Sequence, residues 1–246
     1  MSKKVAYVTG GMGGIGTAIC QQLAKDGFQV VAGCGPNSPR KDKWLAEQKV
    51  LGFDFIASEG NVSDWDSTKA AFDKVKAEVG EIAVLVNNAG ITKDGVFRKM
   101  SADDWKAVID TNLNSLFYVT RQVIDGMLEQ GWGRIVNISS VNGQKGQFGQ
   151  TNYSTAKAGM HGFSMALAQE VASKGVTVNT VSPGYIGTDM VRAIREDVLE
   201  KIVATIPVKR LGTPEEIASI VGWLASDQAG FTTGANFACN GGLYMT

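Results

Sequence analysis

Short runs of apolar residues alternate along the chain with longer segments whose apolar residues recur every three or four positions. The short runs predict strands, and they span Val5 to Thr9, Phe28 to Cys34, Phe53 to Ala57, Ile82 to Val86, Arg134 to Ser139, Val176 to Val181 and Ala235 to Cys239. The periodic segments between them predict helices. Because strands and helices alternate without a repeat or a low-complexity linker, we expect residues 1–246 to form one doubly wound α/β domain with a mostly parallel sheet.

Four stretches add detail to this pattern. Ser101 to Gln130 is mostly helical but contains Asn112, which is unfavourable in mid-helix and indicates a solvent-facing or structural role. Residues 141–150 read as a loop. Residues 185–211 fit no strand–helix unit, so we expect a short helical lid at about 186–211. Thr213-Pro214-Glu215-Glu216 carries the signal for a helix start, with Thr at the N-cap and Glu three residues later.

Composition excludes several classes of function. The 24 basic and 24 acidic residues cancel, so nothing in the charge predicts binding to nucleic acid. Three cysteines without paired spacing and a single histidine argue against a disulfide framework or a zinc site, and favour a reducing compartment. No apolar run approaches the ~18 residues of a membrane span, and no signal segment is visible. We therefore expect a cytoplasmic protein without a membrane span and without a metal.

A glycine-rich loop follows the first predicted strand and precedes the first predicted helix. It reads Gly10-Gly11-Met12-Gly13-Gly14-Ile15-Gly16. Glycines at this density let the backbone approach a ligand closely, and the helix N-terminus that follows attracts a phosphate group. The strand–loop–helix order predicts a dinucleotide site.

The end of the second predicted strand indicates which dinucleotide binds. An acidic residue there would bind the ribose of NAD, but no acid occurs between Cys34 and Asp42. Arg40 in this stretch can pair with the 2′-phosphate of NADP. The alternative is that Arg40 belongs only to the solvated start of the next helix.

Tyr153 and Lys157 lie four residues apart at the start of a predicted helix, so their side chains share one face. An ammonium beside a phenol lowers the pKa of the phenol towards the working range of an acid–base catalyst. Ser140 ends an apolar run, so we expect its hydroxyl to lie at the mouth of the sheet, facing the same place. The alternative is a surface Tyr and Lys on an ordinary helix. His161, two turns beyond Tyr153, is interpreted as a packing or interface residue.

Taken together, these motifs resemble the short-chain dehydrogenase/reductase family over the full chain, which implies a single-domain Rossmann-type fold. The matching residues are Thr9-Gly10-x-x-x-Gly14-x-Gly16, Asn87-Asn88-Ala89-Gly90, Asn112, Ser140, Tyr153-x-x-x-Lys157 and Pro183-Gly184 with Thr188. The resemblance implies that Tyr153 donates a proton, Lys157 holds the nicotinamide ribose and lowers the tyrosine pKa, and Ser140 bonds the substrate carbonyl. It further implies that Asn112 supports a water-linked proton relay and Thr188 holds the nicotinamide carboxamide.

The resemblance also implies a homotetramer packed partly through the helices of Asn112 and Tyr153, and the residues after the second predicted strand favour NADPH as cofactor. Besides Tyr153 and Lys157, the expected cofactor residues are Gly10, Met12, Gly13, Gly14, Ile15, Gly16, Gly35, Arg40, Gly60, Asn61, Val62, Asn88, Ala89, Gly90, Ile91, Pro183, Gly184, Ile186 and Thr188. Many relatives have an acid near the adenine where this chain has Asn61.

Within the family, the chain resembles bacterial acetoacetyl-CoA reductases and, next to them, 3-oxoacyl-[acyl carrier protein] reductases. The first resemblance implies an acyl-CoA thioester substrate and reduction of acetoacetyl-CoA to (R)-3-hydroxybutyryl-CoA, a polyhydroxybutyrate precursor. The expected substrate residues are Asp94, Gln147, Phe148, Gln150, Tyr185 and Arg195. An acidic carrier protein would need a basic patch at the entrance, and Arg98, Lys99 and Arg134 are scattered in sequence. A non-catalytic NADP-sensing regulator should lack part of the Ser-Tyr-Lys set, which this chain keeps.

Overall fold

A single sheet of seven parallel strands organises the protein, in a computed structural model that describes residues 3–188, 191 and 195–245. The strands are β1 (Val5–Val8), β2 (Gln29–Cys34), β3 (Ile56–Glu59), β4 (Ile82–Asn87), β5 (Gly133–Ile138), β6 (Val176–Pro183) and β7 (Asn236–Cys239). Their order across the sheet is β3-β2-β1-β4-β5-β6-β7. The chain therefore reverses direction across the sheet between β1 and β4, which opens a crevice beyond their carboxyl ends.

Helices cover both faces of this sheet. They are α1 (Gly14–Lys25), α2 (Lys41–Val50), α3 (Trp65–Glu78), α4 (Ala102–Ile109), α5 (Ser115–Gln130), α6 (Val141–Lys145), α7 (Thr151–Val171), α8 (Glu196–Thr205) and α9 (Pro214–Ala225). One apolar core joins α1 and α9 to the sheet through residues such as Ile19, Leu23 and Val221. The other core joins α3, α5 and α7 to the opposite face. The predicted doubly wound architecture is confirmed.

The strand predictions hold with one clear shift, because the third strand begins at Ile56 and not at Phe53. Phe53 and Phe55 stack on each other, with ring centroids 5.4 Å apart, and Phe55 also stacks on Trp44 of α2 at 5.3 Å. The aromatic side chains of residues 53–55 pack against α2, and strand pairing begins after them, at Ile56. A second difference is the short helix α6, which occupies half of the expected loop at 141–150.

The expected lid at 186–211 is described only in part. Helix α8 and the segment up to Leu211 are described, whereas residues 189–190 and 192–194 lie outside the described residues. Over the part of the chain that is described, no helix has both the length and the hydrophobicity needed to cross a membrane.

Candidate active site

A cleft of about 560 Å³ runs along the carboxyl edge of the sheet at the β1–β4 reversal. It brings together most of the residues that the sequence marks as functional. Those that line it are Gly10, Gly13, Gly14, Ile15, Gly16, Arg40, Asn88, Ala89, Gly90, Ile91, Ser140, Tyr153, Lys157, Pro183, Gly184, Tyr185, Ile186 and Thr188. Motifs separated by up to 178 positions in the chain therefore face one cavity.

The glycine loop forms one end of the cleft and fits the phosphates of a dinucleotide. Gly10 has a φ of +61°, and a Cβ on Gly16 would lie 2.2 Å from the Gly10 carbonyl oxygen, so neither position accepts a side chain without distortion. Gly13 caps helix α1 without a side-chain acceptor, and the first turn holds no acidic residue. The helix N-terminus thus presents peptide N–H groups without a competing anion, as a bound pyrophosphate requires.

Two polar side chains fix the loop after β4 to the glycine loop. The Thr9 hydroxyl accepts hydrogen bonds from the backbone N–H groups of Asn88 at 2.9 Å and Ala89 at 3.0 Å. In return, the Asn88 amide donates to the carbonyl oxygens of Thr9 and Gly10, at 3.0 and 3.1 Å. These four bonds hold the two walls of the cleft at a defined separation.

Asn112 lies behind the cleft and is fully buried. It belongs to a π-helical turn, Asp110–Asn114, between α4 and α5. Its Nδ2 donates to the carbonyl oxygens of Ile91 and Val108, both at 2.9 Å, and its Oδ1 accepts from the Ile91 N–H at 3.2 Å. The side chain therefore fills a structural role, as one of the alternatives for a mid-helix asparagine predicted, by fixing the Gly90–Ile91 backbone. It does not itself line the cleft.

Ser140, Tyr153 and Lys157 meet where β5, α6 and α7 converge. Ser140 caps α6, and its Oγ accepts a hydrogen bond from the Asn142 N–H at 3.1 Å. Tyr153 and Lys157 lie on one face of α7, with the Lys157 Nζ 5.6 Å from the centroid of the tyrosine ring. The Nζ is buried and donates to the carbonyl oxygen of Ile138 at 2.7 Å.

Burial is the largest influence on the pKa of each member of this pair. Burial raises the pKa of Tyr153, the Ser140 hydroxyl opposes that rise, and the Asp94 carboxylate adds to it. Burial lowers the pKa of Lys157 to about 7. The net shift of the tyrosine pKa is therefore upward, opposite to the direction expected from the Lys157 ammonium alone, because loss of hydration disfavours the charged form of both groups.

Two of the expected substrate residues bond to each other. The Gln150 Nε2 donates to both carboxylate oxygens of Asp94 at 3.0 Å, and its Oε1 accepts from Asn142 Nδ2 at 2.9 Å. These bonds link the loop after β4 to the loop before α7. Gln147 accepts from Lys145, and Phe148 is 86% exposed. Among the expected substrate residues, only Tyr185 lines the cleft, and Arg195 pairs with Asp197 at 3.0 Å.

The remaining expected cofactor residues lie outside the cleft lining. Met12 is buried in the apolar core. The Asn61 Oδ1 accepts from the N–H and hydroxyl of Ser63, so this amide organises the turn before α3. Gly35, Gly60 and Val62 also lie beyond the lining. In their place the cleft adds Thr92, Ile138, Ser139 and Val191. Thr92 and Ser139 adjoin predicted residues in sequence, whereas nothing in the local pattern marks Val191.

His161 lies behind the site, and its Nε2 is 3.2 Å from the Ser139 hydroxyl, which donates to the carbonyl oxygen of Lys157 at 2.8 Å. Burial lowers the pKa of His161. These contacts agree with the packing role predicted for it.

A second cavity of about 220 Å³ adjoins the cleft and shares a wall with it, formed by Gly184, Tyr185 and Ile186. The far side carries the apolar residues Ile206 and Val208 and the ion pair of Arg210 with Glu216. The Arg210 guanidinium holds the pKa of Glu216 at about 2. The two cavities are thus neighbours on either side of one backbone segment.

Comparison with known proteins agrees with this geometry. Residues 4–199 match the short chain dehydrogenase family. An acetoacetyl-CoA reductase of Cupriavidus necator is 80% identical over 245 residues, which cover all of both chains. Nodulation protein G of Azospirillum brasilense is 60% identical over 99% of each chain. The 3-oxoacyl-[acyl-carrier-protein] reductase FabG of Pseudomonas aeruginosa is 45% identical over 99% of this chain and 98% of its own.

A glycine loop at a sheet reversal, a half-buried tyrosine beside a buried lysine, and a match over most of the sequence lead to one assignment. This chain belongs to the short-chain dehydrogenase family of oxidoreductases, which implies a nicotinamide cofactor.

Proposed function

We propose that this protein reduces the 3-keto group of acetoacetyl-CoA with NADPH, giving (R)-3-hydroxybutyryl-CoA for polyhydroxybutyrate synthesis. The observation that carries the proposal is the cleft that holds Ser140, Tyr153 and Lys157 beside the glycine loop. The substrate is taken from the 80% identical relative named as an acetoacetyl-CoA reductase.

In this proposal the residues of the chain divide the work of holding the cofactor. The N-terminus of α1 binds the pyrophosphate, Arg40 binds the 2′-phosphate, and Lys157 and Thr188 face the nicotinamide half. When bound, the cofactor supplies the hydride. The backbone of residues 88–91 closes the remaining side, held there by Asn112.

The proton and the hydrogen bond come from the protein. As hydride reaches the carbonyl carbon, negative charge develops on the ketone oxygen and must be stabilised and protonated. The Ser140 hydroxyl is the hydrogen-bond donor, and the Tyr153 phenol is the acid. A raised tyrosine pKa keeps the phenol protonated at neutral pH, which suits reduction.

The position of Arg134 removes it from any basic patch that an acidic acyl carrier protein would need. Arg134 is 4% exposed and donates to the carbonyl oxygens of Gly133, Gly175 and Ser226. It also lies at the start of β5, on the edge of the sheet opposite the cleft. It cannot join Arg98 and Lys99 in a basic patch for an acidic partner.

We include two further elements in the proposal. Residues 186–211 act as a lid over the substrate. Two observations support this role: the segment contains helix α8, and it begins at Ile186, which lines the cleft. The protein assembles as a homotetramer through α4, α5 and α7. The exposure of Trp105, Phe117 and Met165 on these helices, at 36%, 54% and 51%, supports this assembly.

The test compares kcat/KM for acetoacetyl-CoA and for the matching acyl carrier protein thioester, with NADPH, across ionic strength. We expect the CoA thioester to be preferred at every salt concentration. A roughly tenfold preference for the carrier protein that weakens with salt would instead indicate electrostatic steering of an acidic partner. Absence of NADPH oxidation with either thioester would contradict the proposed activity itself.

A further inference from the structure

A partly exposed ion pair lies at the carboxyl ends of β2 and β3, the edge at which a bound dinucleotide places its adenosine ribose. Strand β2 ends at Cys34 and strand β3 at Glu59, and these two residues are register partners in the sheet. Lys41 opens helix α2, and its Nζ lies 3.1 Å from the Glu59 Oε2. The two side chains are 29% and 37% exposed.

The position of Glu59 matters because of what a carboxylate does at this edge. An acid beside the adenosine ribose binds the ribose hydroxyls of NAD and repels a 2′-phosphate. The sequence from Val30 to Lys41 lacks such an acid, but the fold delivers one from the adjacent strand. Without a partner, that carboxylate would oppose the charge of Arg40.

Lys41 removes this conflict. Its ammonium lies within hydrogen-bond distance of the carboxylate and offsets its negative charge, and Glu59 in turn raises the pKa of Lys41. Asp42, the other nearby acid, lies in the first turn of α2, where the helix dipole stabilises its charge. Arg40 lines the cleft and, among the described residues, has no carboxylate within salt-bridge distance.

We propose that the Lys41–Glu59 pair is a second determinant of cofactor specificity, which masks an acid that would otherwise disfavour a 2′-phosphate. The inference deepens the proposed function and rests on its assignment of a phosphorylated dinucleotide. Specificity here depends on hiding a negative charge as well as on the positive charge of Arg40.

A double-mutant cycle that removes the charges of Lys41 and Glu59, singly and together, tests this inference. Lys41→Gln leaves Glu59 unpaired, so binding of a 2′-phosphate should weaken about fivefold, the scale expected for partly exposed charges. Glu59→Gln frees the Lys41 ammonium and should strengthen that binding about twofold. The double variant Lys41→Gln/Glu59→Gln should return to within about twofold of the parent protein.

Calorimetric titration with adenosine 2′,5′-bisphosphate and with adenosine 5′-monophosphate measures this without catalysis. The bisphosphate should show the changes above, and the monophosphate should change less than about twofold in every variant. Lys43→Gln is the matched control, because Lys43 lies on the same helix and pairs with Glu47 at 3.8 Å. The difference between Lys41→Gln and the parent should shrink as salt increases.

Equal losses for both nucleotides, an equal loss in Lys43→Gln, or a double variant as weak as Lys41→Gln would each overturn the inference. If thermal unfolding shows that Lys41→Gln is not folded, the Glu59→Gln variant alone tests the inference. Bisphosphate binding that is unchanged in Glu59→Gln would then overturn it. A parent protein that binds both nucleotides equally would contradict the NADPH assignment first and the inference with it.

Discussion

Tyr153 and Lys157 show at the scale of single residues how burial and charge compete within one helical turn. The two side chains are placed as the four-residue spacing predicts, yet burial raises the pKa of the phenol and lowers that of the amine. A neutral phenol and a lysine that titrates near neutral pH are two consequences of the same dry environment.

The role of Tyr153 as proton donor is tested by Tyr153→Phe. General acid catalysis contributes about 10²–10⁴-fold, so we expect a loss of kcat in this range with cofactor affinity retained, measured by NADPH titration. Tyr118→Phe, on α5, is the control and should keep full activity. A Tyr153→Phe variant with more than about a tenth of parental kcat would assign the proton to another group.

Asp94 offers a test of the charges around the phenol. Its carboxylate raises the pKa of Tyr153, so Asp94→Asn, which keeps the shape and one acceptor for Gln150, should lower that pKa. Reduction needs the protonated phenol. The alkaline limb of the pH–rate profile should therefore move to lower pH.

The control for this shift is Asp103→Asn, which removes a similarly exposed carboxylate from the first turn of α4. Its pH–rate profile should overlay that of the parent. An unmoved alkaline limb in Asp94→Asn would show that the charge of Asp94 does not reach the reacting phenol.

Lys157 makes the stability of the protein depend on pH. Its pKa is about 7 in the folded chain and 10.5 ordinarily, so between these values the unfolded chain binds a proton that the folded chain lacks. The free energy of unfolding therefore rises with pH in this window. Relative to Lys157→Met, the parent should gain roughly 1–2 kcal/mol between about pH 7 and about pH 8.5.

Urea unfolding of both proteins at the two pH values measures this difference, and neighbouring groups that titrate equally in both cancel from it. Parallel stability profiles for the parent and Lys157→Met would mean that Lys157 remains hydrated and ordinary in its titration.

At the scale of elements, the start of α9 is the helix end that the sequence predicts most completely. The Glu216 N–H donates to the Thr213 Oγ1 at 3.3 Å, and the Thr213 N–H donates to the Glu216 Oε2 at 2.8 Å. The predicted capping box is therefore confirmed. Because α9 packs on α1, the box also supports the helix that begins at the glycine loop.

Thr213→Ala removes one half of this box and should lower the free energy of unfolding by about 1 kcal/mol, in the usual range of about 0.5–2 kcal/mol. Thr213→Ser retains the hydroxyl and should recover most of the loss. Chemical denaturation of the three proteins makes the comparison, and an equal loss in both variants would attribute the effect to the threonine methyl group.

Sequence patterns predict those parts of the structure that depend on neighbours in the chain. The strands, the glycine loop, the Tyr153–Lys157 face and the α9 cap all follow from local periodicity or spacing. The placement of the Asn112 side chain does not, because two of its three bonds are to Ile91, 21 positions away. The partnership of Gln150 with Asp94 spans 56 positions, so a sequence cannot distinguish it from two separate substrate contacts.

At the scale of the whole molecule, the carboxyl and amino ends of the strands carry different kinds of contact. The carboxyl edge carries the cleft. At the amino edge, Trp132 lies between the cations of Lys4 and Arg134, with its ring centroid 3.6 Å from the Lys4 Nζ and 4.4 Å from the Arg134 Cζ. Its Nε1 donates to Asp227 at 2.8 Å. These contacts tie distant segments together where no catalytic motion is required.

Assembly through α4, α5 and α7 is tested at the same scale. Phe117, which is 54% exposed and stacks on Trp65 at 5.9 Å, should be covered in a tetramer. Phe117→Glu would bury a charge there, so light scattering should report a smaller species. Val50→Glu, at an 88% exposed position on α2, should leave the mass unchanged. Identical masses for the parent and both variants would remove this face from the assembly.

The wall between the cleft and the second cavity bears on how readily this protein could evolve towards longer substrates. Among the described residues, Gly184, Tyr185 and Ile186 line both spaces, and Ile206 and Val208 give the second space an apolar surface. Substitutions at Tyr185 or Ile186 would change the wall of this second space, which has a volume of about 220 Å³, without replacing Ser140, Tyr153 or Lys157. Acyl chain length would then be an adaptable trait, set by one or two codons far from those that encode the chemistry.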